Sequence, residues 1–278
     1  MRAGFLLGSD GEPTVTPVAM TIAGSDPSGG AGLQADLKTF HQHGVYGTSV
    51  VTLLTVQNTQ KVAAVEVLAP EFVILQLEAI LADIPPAAAK TGALGNAAII
   101  EAIAERAKQF AFPLVIDPVM VSKHGAPLID DAAVEVLRRK LLPQAFLVTP
   151  NVLEAARLAK TEVTDLPAME KAAVAIWRLG AKTILVKGGH LDGDPIDLLW
   201  AEGKSFHLPA KRVRTWHTHG AGCVYSAAIT ARLAHGDDVV TAVKRAKQFI
   251  TAAIRSSPGL GHGHGPVNMH VGPSETRP

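Results

Sequence analysis

The sequence is poor in cysteine, in aromatic residues and in charge. It has a single cysteine, Cys223, which excludes an internal disulfide and suits a reducing compartment, so we expect a cytoplasmic protein. Aromatic residues make up 5% of the 278 residues and charged residues 18%. The 26 basic and 25 acidic side chains leave a formal charge of +1, and no basic run occurs. This balance argues against nucleic acid or an anionic membrane as a partner.

Long apolar runs are missing as well. No stretch approaches the roughly 18 consecutive apolar residues of a membrane-spanning helix, because Asp117 and its neighbouring prolines interrupt residues 112–121. The apolar part of residues 1–8 is too short for a secretory signal. Hydrophobic residues nevertheless account for 47% of the chain, which excludes disorder and predicts a well-filled interior.

Strand-like and helical patterns alternate along the chain. Short apolar or β-branched runs predict strands at 18–23, 45–56, 113–118, 145–149 and 182–187, and a hairpin from 196–200 and 205–208. Helical spacing and stop signals predict helices at 30–43, 70–83, 96–110, 131–141, 151–159, 168–180, 223–234 and 238–256. This alternation predicts an α/β fold with a mostly parallel sheet, helices on both of its faces and a small antiparallel hairpin.

The same patterns predict a single domain over 17–266, since no linker, repeat or low-complexity block interrupts it. Residues 1–16 are rich in Gly, Pro and Thr and are expected to form a loose leader. Residues 267–278 are polar and are expected to form a loose tail.

Polar or glycine-bearing segments follow four of the predicted strands. They are residues 24–26, 117–120, 149–151 and 187–190. Ligands of a parallel sheet bind at the carboxyl ends of its strands, so we expect these segments to form a single site.

A glycine-rich turn, residues 218–222, precedes Cys223 and the helix that begins there. Free N–H groups at such a junction form a site for a phosphate or another anion. The same field is expected to lower the pKa of the Cys223 thiol, which would let the sulfur act as a base. The alternative is a small buried hydrophobe, but the flanking glycines favour the functional interpretation.

Two sets of polar side chains allow a structural or a functional interpretation. Asp36 lies at the edge of the apolar stripe of its helix, so its carboxylate needs a partner: Lys90, a backbone group or a ligand. Asp117, Asn151 and Glu154 suit Mg²⁺ and a nucleotide, but Asn151 and Glu154 also have the spacing of a helix cap. Lys187 could neutralise a phosphate, and the glycines after it would let a nucleotide approach the backbone.

These segments, taken in order, carry a resemblance to a known family. The matching residues are 21–40, 56–59, 90–92, 117–120, 149–151 with Glu154, 187–190 and 218–223. They resemble the hydroxymethylpyrimidine/phosphomethylpyrimidine kinases of thiamine biosynthesis, members of the ribokinase-like superfamily, over about residues 19–268. The resemblance implies the three-layer ribokinase-like fold.

The resemblance also implies an activity. ATP, with Mg²⁺, would phosphorylate the hydroxymethyl group of 4-amino-5-hydroxymethyl-2-methylpyrimidine, and then convert that monophosphate to the diphosphate. The implied pyrimidine-binding residues are Gly24, Asp36, Gln57 and Val119, and the residues implied to face ATP are Asn151, Glu154, Lys187 and Gly189. Asp117 and Glu154 would face Mg²⁺, while Gly220, Ala221, Gly222 and Cys223 would form the catalytic anion hole, with Cys223 as base. A homodimer is possible, because related folds often associate through their edges.

Two other functions stay open. A pyridoxal kinase could use the same cysteine, although the Gln57 amide, which both donates and accepts, favours an aminopyrimidine edge. The other open function is a non-catalytic ligand-binding regulator on this scaffold, and the intact glycine turn and Lys187 argue against it.

Two departures from the family pattern bear on the shape of the pocket. Ala93 stands where many relatives have methionine, and Val224-Tyr225 replaces the smaller pair of residues that often follows the cysteine.

Overall fold

The computed structural model describes residues 6–7, 13–14, 16–122, 125 and 127–272. Its strands are β1 (Leu6–Leu7), β2 (Pro13–Thr14), β3 (Val18–Ser25), β4 (Tyr46–Gln57), β5 (Val62–Val67), β6 (Ala88–Thr91), β7 (Leu114–Ile116), β8 (Leu147–Val148), β9 (Thr183–Val186), β10 (Ile196–Ala201) and β11 (Lys204–Pro209). Its helices are α1 (Gly32–Gln42), α2 (Pro70–Asp83), α3 (Ala97–Ala107), α4 (Asp131–Val136), α5 (Val152–Ala159), α6 (Leu166–Trp177), α7 (Ala221–Ala234) and α8 (Val239–Arg255). A π-helical turn at Leu137–Leu141 and a 3₁₀ turn at Leu142–Gln144 extend α4.

Nine strands form one sheet in the order β11-β10-β9-β8-β7-β6-β3-β4-β5, and β1 pairs with β2 separately. The pairings among β4, β3, β6, β7, β8 and β9 are parallel, whereas β5, β10 and β11 pair antiparallel at the two edges. The predicted α/β class, with a mostly parallel sheet and an antiparallel hairpin, is confirmed. The hairpin is β10–β11.

Helices cover both faces of the sheet, because the central strands other than β6 are mainly apolar on both sides. Within β7, Leu114 and Ile116 belong to the core that packs against α2 to α6, while Val115 belongs to the core beneath α7 and α8. This alternation follows from the two-residue period of a strand. Helix α7 is buried along most of its length, from Val224 onwards.

Two strands of the nine-stranded sheet, β5 and β6, were not predicted, and neither was the short pair β1–β2. Strand β5 lies at an edge with four consecutive exposed residues, so it has no apolar alternation to detect. Strand β6 has the sequence Ala-Ala-Lys-Thr, which combines low strand propensity with a charge, yet all four residues are buried. Its lysine is buried because the tertiary structure supplies it with a carboxylate.

The predicted loose tail is wrong for residues 267–272. Val267, Met269 and Val271 are buried in the core beneath α8. The Asn268 N–H donates to the Ala253 carbonyl at 3.0 Å, and the Gln42 side chain donates to the Val271 carbonyl at 2.9 Å. Residues 273–278, and most of the predicted leader 1–16, lie outside the described residues. Among the described helices, none combines the length and the apolar character that crossing a membrane requires.

Candidate active site

A cleft of about 730 Å³ opens at the carboxyl ends of the parallel strands. It is lined by every residue that the sequence analysis singled out for a site: Gly24, Asp36, Gln57, Asp117, Val119, Asn151, Glu154, Lys187, Gly189, Gly220, Ala221, Gly222 and Cys223. The structure therefore brings the four strand ends and the glycine turn together. Shared position alone does not assign a role to each residue.

The glycine turn is shaped for close backbone approach. Gly220 precedes α7 with a φ of +75°, in the left-handed region, and a Cβ atom there would overlap the Gly30 carbonyl. The Ala221 N–H donates to the Thr218 carbonyl at 3.2 Å, so it is already engaged. Gly222 and Cys223 follow in the first turn of α7, where backbone N–H groups have no intrahelical acceptor. An anion at this turn would therefore be bound mainly by the N–H groups of Gly222 and Cys223.

The Cys223 thiol does not have the lowered pKa that the sequence predicted. Burial raises its pKa to about 12, and the carboxylates of Asp36 and Asp117 act in the same direction. Lys90 lowers the pKa, but by less than burial raises it. The expectation is wrong because most of the thiol's surroundings in the cleft are protein and not water, so ionising it costs more than the helix dipole recovers. Cys223 is partly exposed and lines the cleft.

Asp36 has a protein partner, Lys90, as one of the two interpretations anticipated. Lys90 Nζ lies 2.8 Å from Asp36 Oδ1 and 2.9 Å from Oδ2, and the Thr21 hydroxyl donates to Oδ2 at 2.6 Å. Both charged side chains are fully buried. Although burial by itself lowers the pKa of Lys90, the Asp36 carboxylate holds that pKa above its usual value. Lys90 is therefore a charged group in the floor of the cleft.

Asp117 and Lys187 form a second buried ion pair, with Lys187 Nζ 3.0 Å from Asp117 Oδ1. Hydroxyls of Thr149 and Ser226 lie 3.3 and 3.2 Å from the same carboxylate. Burial alone raises the pKa of Asp117, but the Lys187 and Lys90 charges hold it below its ordinary value. Asp117 is therefore an ionised carboxylate at the cleft.

Asn151 and Glu154 cap α5 and also face the cleft. The Asn151 side chain accepts from the N–H groups of Leu153 and Glu154, and a Glu154 carboxylate oxygen accepts from the Asn151 N–H at 2.8 Å. The capping interpretation is thus correct, and both residues still line the cleft. Burial raises the pKa of Glu154 to about 7, helped by the nearby Asp117 charge.

These groups suit Mg²⁺ only when other ligands complete its shell. Within the described part of the chain, no group of three or more His, Cys, Asp or Glu side chains is arranged to hold a metal. Asp117 and Glu154 supply two carboxylates at one cleft, and Mg²⁺ ordinarily takes one or two protein carboxylates together with waters and substrate phosphates. The residues present fit such a shared site.

A polar cluster that the sequence did not predict lies beside Gln57 in the cleft. His219 and Asp26 are both 2% exposed, and His219 Nε2 lies 2.7 Å from Asp26 Oδ2. The same nitrogen lies 3.3 Å from the Gln57 side-chain amide. Their sequence signal was position alone: Asp26 follows the first predicted strand and His219 lies within the glycine turn.

Comparisons with known proteins agree on one family. A model of the phosphomethylpyrimidine kinase family matches residues 26–268. The hydroxymethylpyrimidine/phosphomethylpyrimidine kinase of Synechococcus elongatus is 47% identical over 253 residues, which cover 90% of this chain and 96% of that protein. The thiamine biosynthesis bifunctional protein ThiED of Geobacter sulfurreducens is 48% identical over 261 residues, 93% of this chain but only 53% of that relative. This chain thus spans about half the length of ThiED.

Solved structures show the same fold. An ADP complex of Bacillus subtilis pyridoxal kinase superposes with a TM-score of 0.86 at 38% identity, covering 92% of this chain and 98% of that one. The phosphomethylpyrimidine kinase (thiD) of Clostridium difficile superposes with a TM-score of 0.77 at 42% identity, covering 86% and 100%. The ribokinase-like fold that the resemblance implied is confirmed. With the family model spanning residues 26–268 and a relative at 47% identity over nearly its full length, this chain belongs to the phosphomethylpyrimidine kinase family.

Proposed function

We propose that this protein uses ATP to phosphorylate the hydroxymethyl group of 4-amino-5-hydroxymethyl-2-methylpyrimidine, and then phosphorylates the monophosphate to the diphosphate, in thiamine biosynthesis. The observation that carries this proposal is the single cleft in which Gln57, Cys223 and Lys187 meet. The Gln57 amide can bind a heterocycle there, beside the glycine turn, which can bind an anion, and Lys187, which can neutralise a phosphate. Relatives named for this pair of activities support the substrate.

The pyrimidine would occupy the end of the cleft lined by Gly24, Asp36, Gln57 and Val119. Gly24 lies where the pairing of β3 with β4 shifts register, and a Cβ atom there would lie 2.5 Å from Leu53 Cδ1. The bare backbone of Gly24 therefore lets the Leu53 side chain, which also lines the cleft, pack closely against it. Asp36 would act by holding Lys90 in the floor of the cleft, since both of its oxygens are engaged by that lysine.

The nucleotide would occupy the opposite end, beside Asn151, Glu154, Lys187 and Gly189. No atom lies within 4 Å of a Cβ built on Gly189, so a nucleotide has room to approach this backbone. Structures of related pyridoxal kinases with ADP and AMP-PCP support nucleotide binding by this fold. Asp117 and Glu154 would hold Mg²⁺, which when bound would neutralise charge on the phosphates.

Phosphoryl transfer forms a bond from the substrate oxygen to the γ-phosphorus and breaks the bond from that phosphorus to the bridging oxygen of ADP. The N–H groups of Gly222 and Cys223 would stabilise the negative charge that develops, within the turn made by Gly220 and Ala221. Removing one such donor typically costs about 3 kcal/mol of barrier. Lys187 would bind phosphate oxygens, and the hydroxyl proton would pass to the Cys223 sulfur when that sulfur is a thiolate.

A pKa of about 12 limits what Cys223 can contribute as a base. At neutral pH the thiol is therefore predominantly protonated before ligands bind. We therefore expect the base to contribute near the lower end of the usual range, about 10²-fold, and the anion turn to contribute more. The Cys223→Ala variant should lose turnover by about this factor while still binding the pyrimidine.

We further propose that the enzyme is cytoplasmic, since its one thiol suits a reducing compartment.

We also propose that the protein forms a homodimer. Support for a dimer comes from the edge formed by β4 and β5. Leu54, Val56 and Val65 are 47%, 63% and 41% exposed there, and a second copy would cover them. Sedimentation of the purified protein, with a Val56→Asp variant as comparison, tests this association.

A side-by-side assay tests the activity. Purified protein with Mg²⁺ and ATP is given the pyrimidine alcohol, its monophosphate or pyridoxal, and ADP and the phosphorylated product are both measured. We expect turnover of both pyrimidines at a kcat/KM well above that for pyridoxal. Pyridoxal is the second candidate, because the structural similarity includes a pyridoxal kinase. Preference for pyridoxal would reverse the assignment, and no ADP formation with any alcohol would favour a non-catalytic regulator.

A further inference from the structure

The Asp26 carboxylate is an acceptor for four surrounding donors. Oδ1 accepts from the Ser28 N–H at 2.9 Å, and Oδ2 accepts from the Ser28 hydroxyl and the Ala31 N–H, both at 2.9 Å. His219 Nε2 lies 2.7 Å from the same Oδ2. Burial alone raises the pKa of Asp26, but the hydrogen bonds from His219 and Ser28 bring it below its ordinary value. The carboxylate is therefore ionised and only accepts hydrogen bonds.

This carboxylate determines which nitrogen of His219 carries hydrogen. A bare imidazole nitrogen placed 2.7 Å from a carboxylate oxygen would bring two lone pairs together. Nε2 must therefore carry a hydrogen and donate it to Asp26, whether the ring is neutral or charged. Nε2 therefore has no lone pair with which to accept from the Gln57 amide beside it, and the one hydrogen that it donates to Asp26 can at most be shared with an acceptor there.

Two orientations of the Gln57 amide occupy the same space, and their hydrogen-bond partners distinguish them. The atom assigned as Gln57 Nε2 lies 3.3 Å from His219 Nε2, and the atom assigned as Oε1 lies 3.3 Å from the Thr55 hydroxyl oxygen. The Thr55 hydroxyl already donates its hydrogen to the Ser25 carbonyl at 2.9 Å, so it can only accept from Gln57. With the amide nitrogen towards His219, two donors would face each other. With the carbonyl towards His219, the Gln57 nitrogen donates to Thr55, and the carbonyl oxygen accepts the longer branch of the Nε2–H hydrogen bond that His219 makes with Asp26.

We infer that His219, fixed by Asp26, is a positioning residue that sets the orientation of the Gln57 amide, and thereby makes the site select a 4-aminopyrimidine over its 4-oxo counterpart. A carboxamide presents one acceptor and one donor along its outer edge, and a half-turn exchanges them. A 4-aminopyrimidine offers an acceptor at N3 and a donor at the amino group. A 4-oxopyrimidine offers the opposite pair, so one amide orientation cannot match both. This inference rests on the proposed function, in which Gln57 contacts the ring.

The test compares two alcohols: the 4-amino substrate and 5-hydroxymethyl-2-methyl-4-oxopyrimidine. Wild type is expected to prefer the amino compound by at least about 10³-fold in kcat/KM, because a mismatch leaves buried polar groups unpaired. The His219→Asn side chain is too short to present an N–H where Nε2 lies, whereas that of His219→Gln reaches it. We expect His219→Asn to reduce the preference by about 10- to 100-fold, mainly through KM. His219→Gln should keep it within about threefold of wild type.

Two further measurements separate positioning from damage to the fold. Thermal unfolding and the KM for ATP are recorded for each variant, since a misfolded site would move both. Thr55→Val, which removes the acceptor for the Gln57 nitrogen without touching the glycine turn, should reduce the preference in the same direction. An unchanged preference in both His219→Asn and Thr55→Val overturns the inference while the proposed function stands. If calorimetry detects binding of neither pyrimidine to wild type, the proposed function fails and the inference fails with it.

Discussion

Both carboxylate oxygens of Asp36 lie within 2.9 Å of Lys90 Nζ, in a pair that solvent does not reach. Helix α1 supplies the carboxylate and the short strand β6 supplies the ammonium. Each charge is buried only because the other is present, so the pair links a helix to the centre of the sheet beneath the cleft.

Removing the carboxylate alone should destabilise the protein strongly. Asp36→Leu leaves the Lys90 charge buried without its partner, and we expect the free energy of unfolding to fall by about 3–5 kcal/mol. The double variant Asp36→Leu/Lys90→Met removes both charges and should recover most of that loss. Urea unfolding followed by circular dichroism measures both. A loss below about 1 kcal/mol in the single variant would show that the pair is not needed for stability.

The raised pKa of Cys223 predicts an unusual pH dependence of its reactivity. The thiolate is the form that reacts with iodoacetamide. Because the pKa of Cys223 is raised from the ordinary value of 9.0 to about 12, its thiol stays mainly protonated at pH values well above 9. Its alkylation rate should therefore still rise about tenfold per pH unit between pH 8 and pH 10.5. Glutathione, measured in parallel, should level off near its own pKa. A Cys223 rate that levels off near pH 9 would contradict the burial effect.

The two glycines of the glycine turn should respond differently to substitution by alanine. Gly220 has a positive φ and no room for a Cβ, so Gly220→Ala should cost about 1–3 kcal/mol of stability and distort the turn. A Cβ on Gly222 would lie 3.3 Å from Lys187 Nζ, which can move aside. Gly222→Ala should therefore leave the unfolding midpoint nearly unchanged and lower turnover through the displaced lysine. Comparable unfolding midpoints for the two variants would argue against strain at Gly220.

The segment after residue 266 should contribute to stability. Val267, Met269 and Val271 are 2%, 5% and 2% exposed, and burying such a side chain is worth about 1.5–3 kcal/mol. A chain that ends at Pro266 should unfold at a clearly lower urea concentration than the full chain. A chain that ends at Gly272 keeps all three side chains and should stay close to the full chain. Equal midpoints for all three chains would mean that this segment does not support the core.

Local sequence predicted most of the elements, because apolar periodicity is a property of neighbouring residues. Strand β4 was predicted at 45–56 and lies at Tyr46–Gln57, and α2 was predicted at 70–83 and lies at Pro70–Asp83. The exposed edge strand β5 and the charged strand β6 were missed, because their pattern depends on neighbours that are distant in sequence. The polarity of residues 267–278 predicted a loose tail, but Val267, Met269 and Val271, which alternate with polar residues, lie in the core.

The sequence by itself determined the α/β class, the family, and which strand ends and glycine turn face the cleft, since each depends on order and spacing along the chain. Only the tertiary structure decided that Lys90 satisfies Asp36, that burial raises the pKa of the Cys223 thiol, and that Asp26 and His219 lie behind Gln57. Those outcomes depend on distances and solvent access between residues far apart in sequence. Charges and hydrogen bonds act through space, so their effects cannot be read from the order of residues.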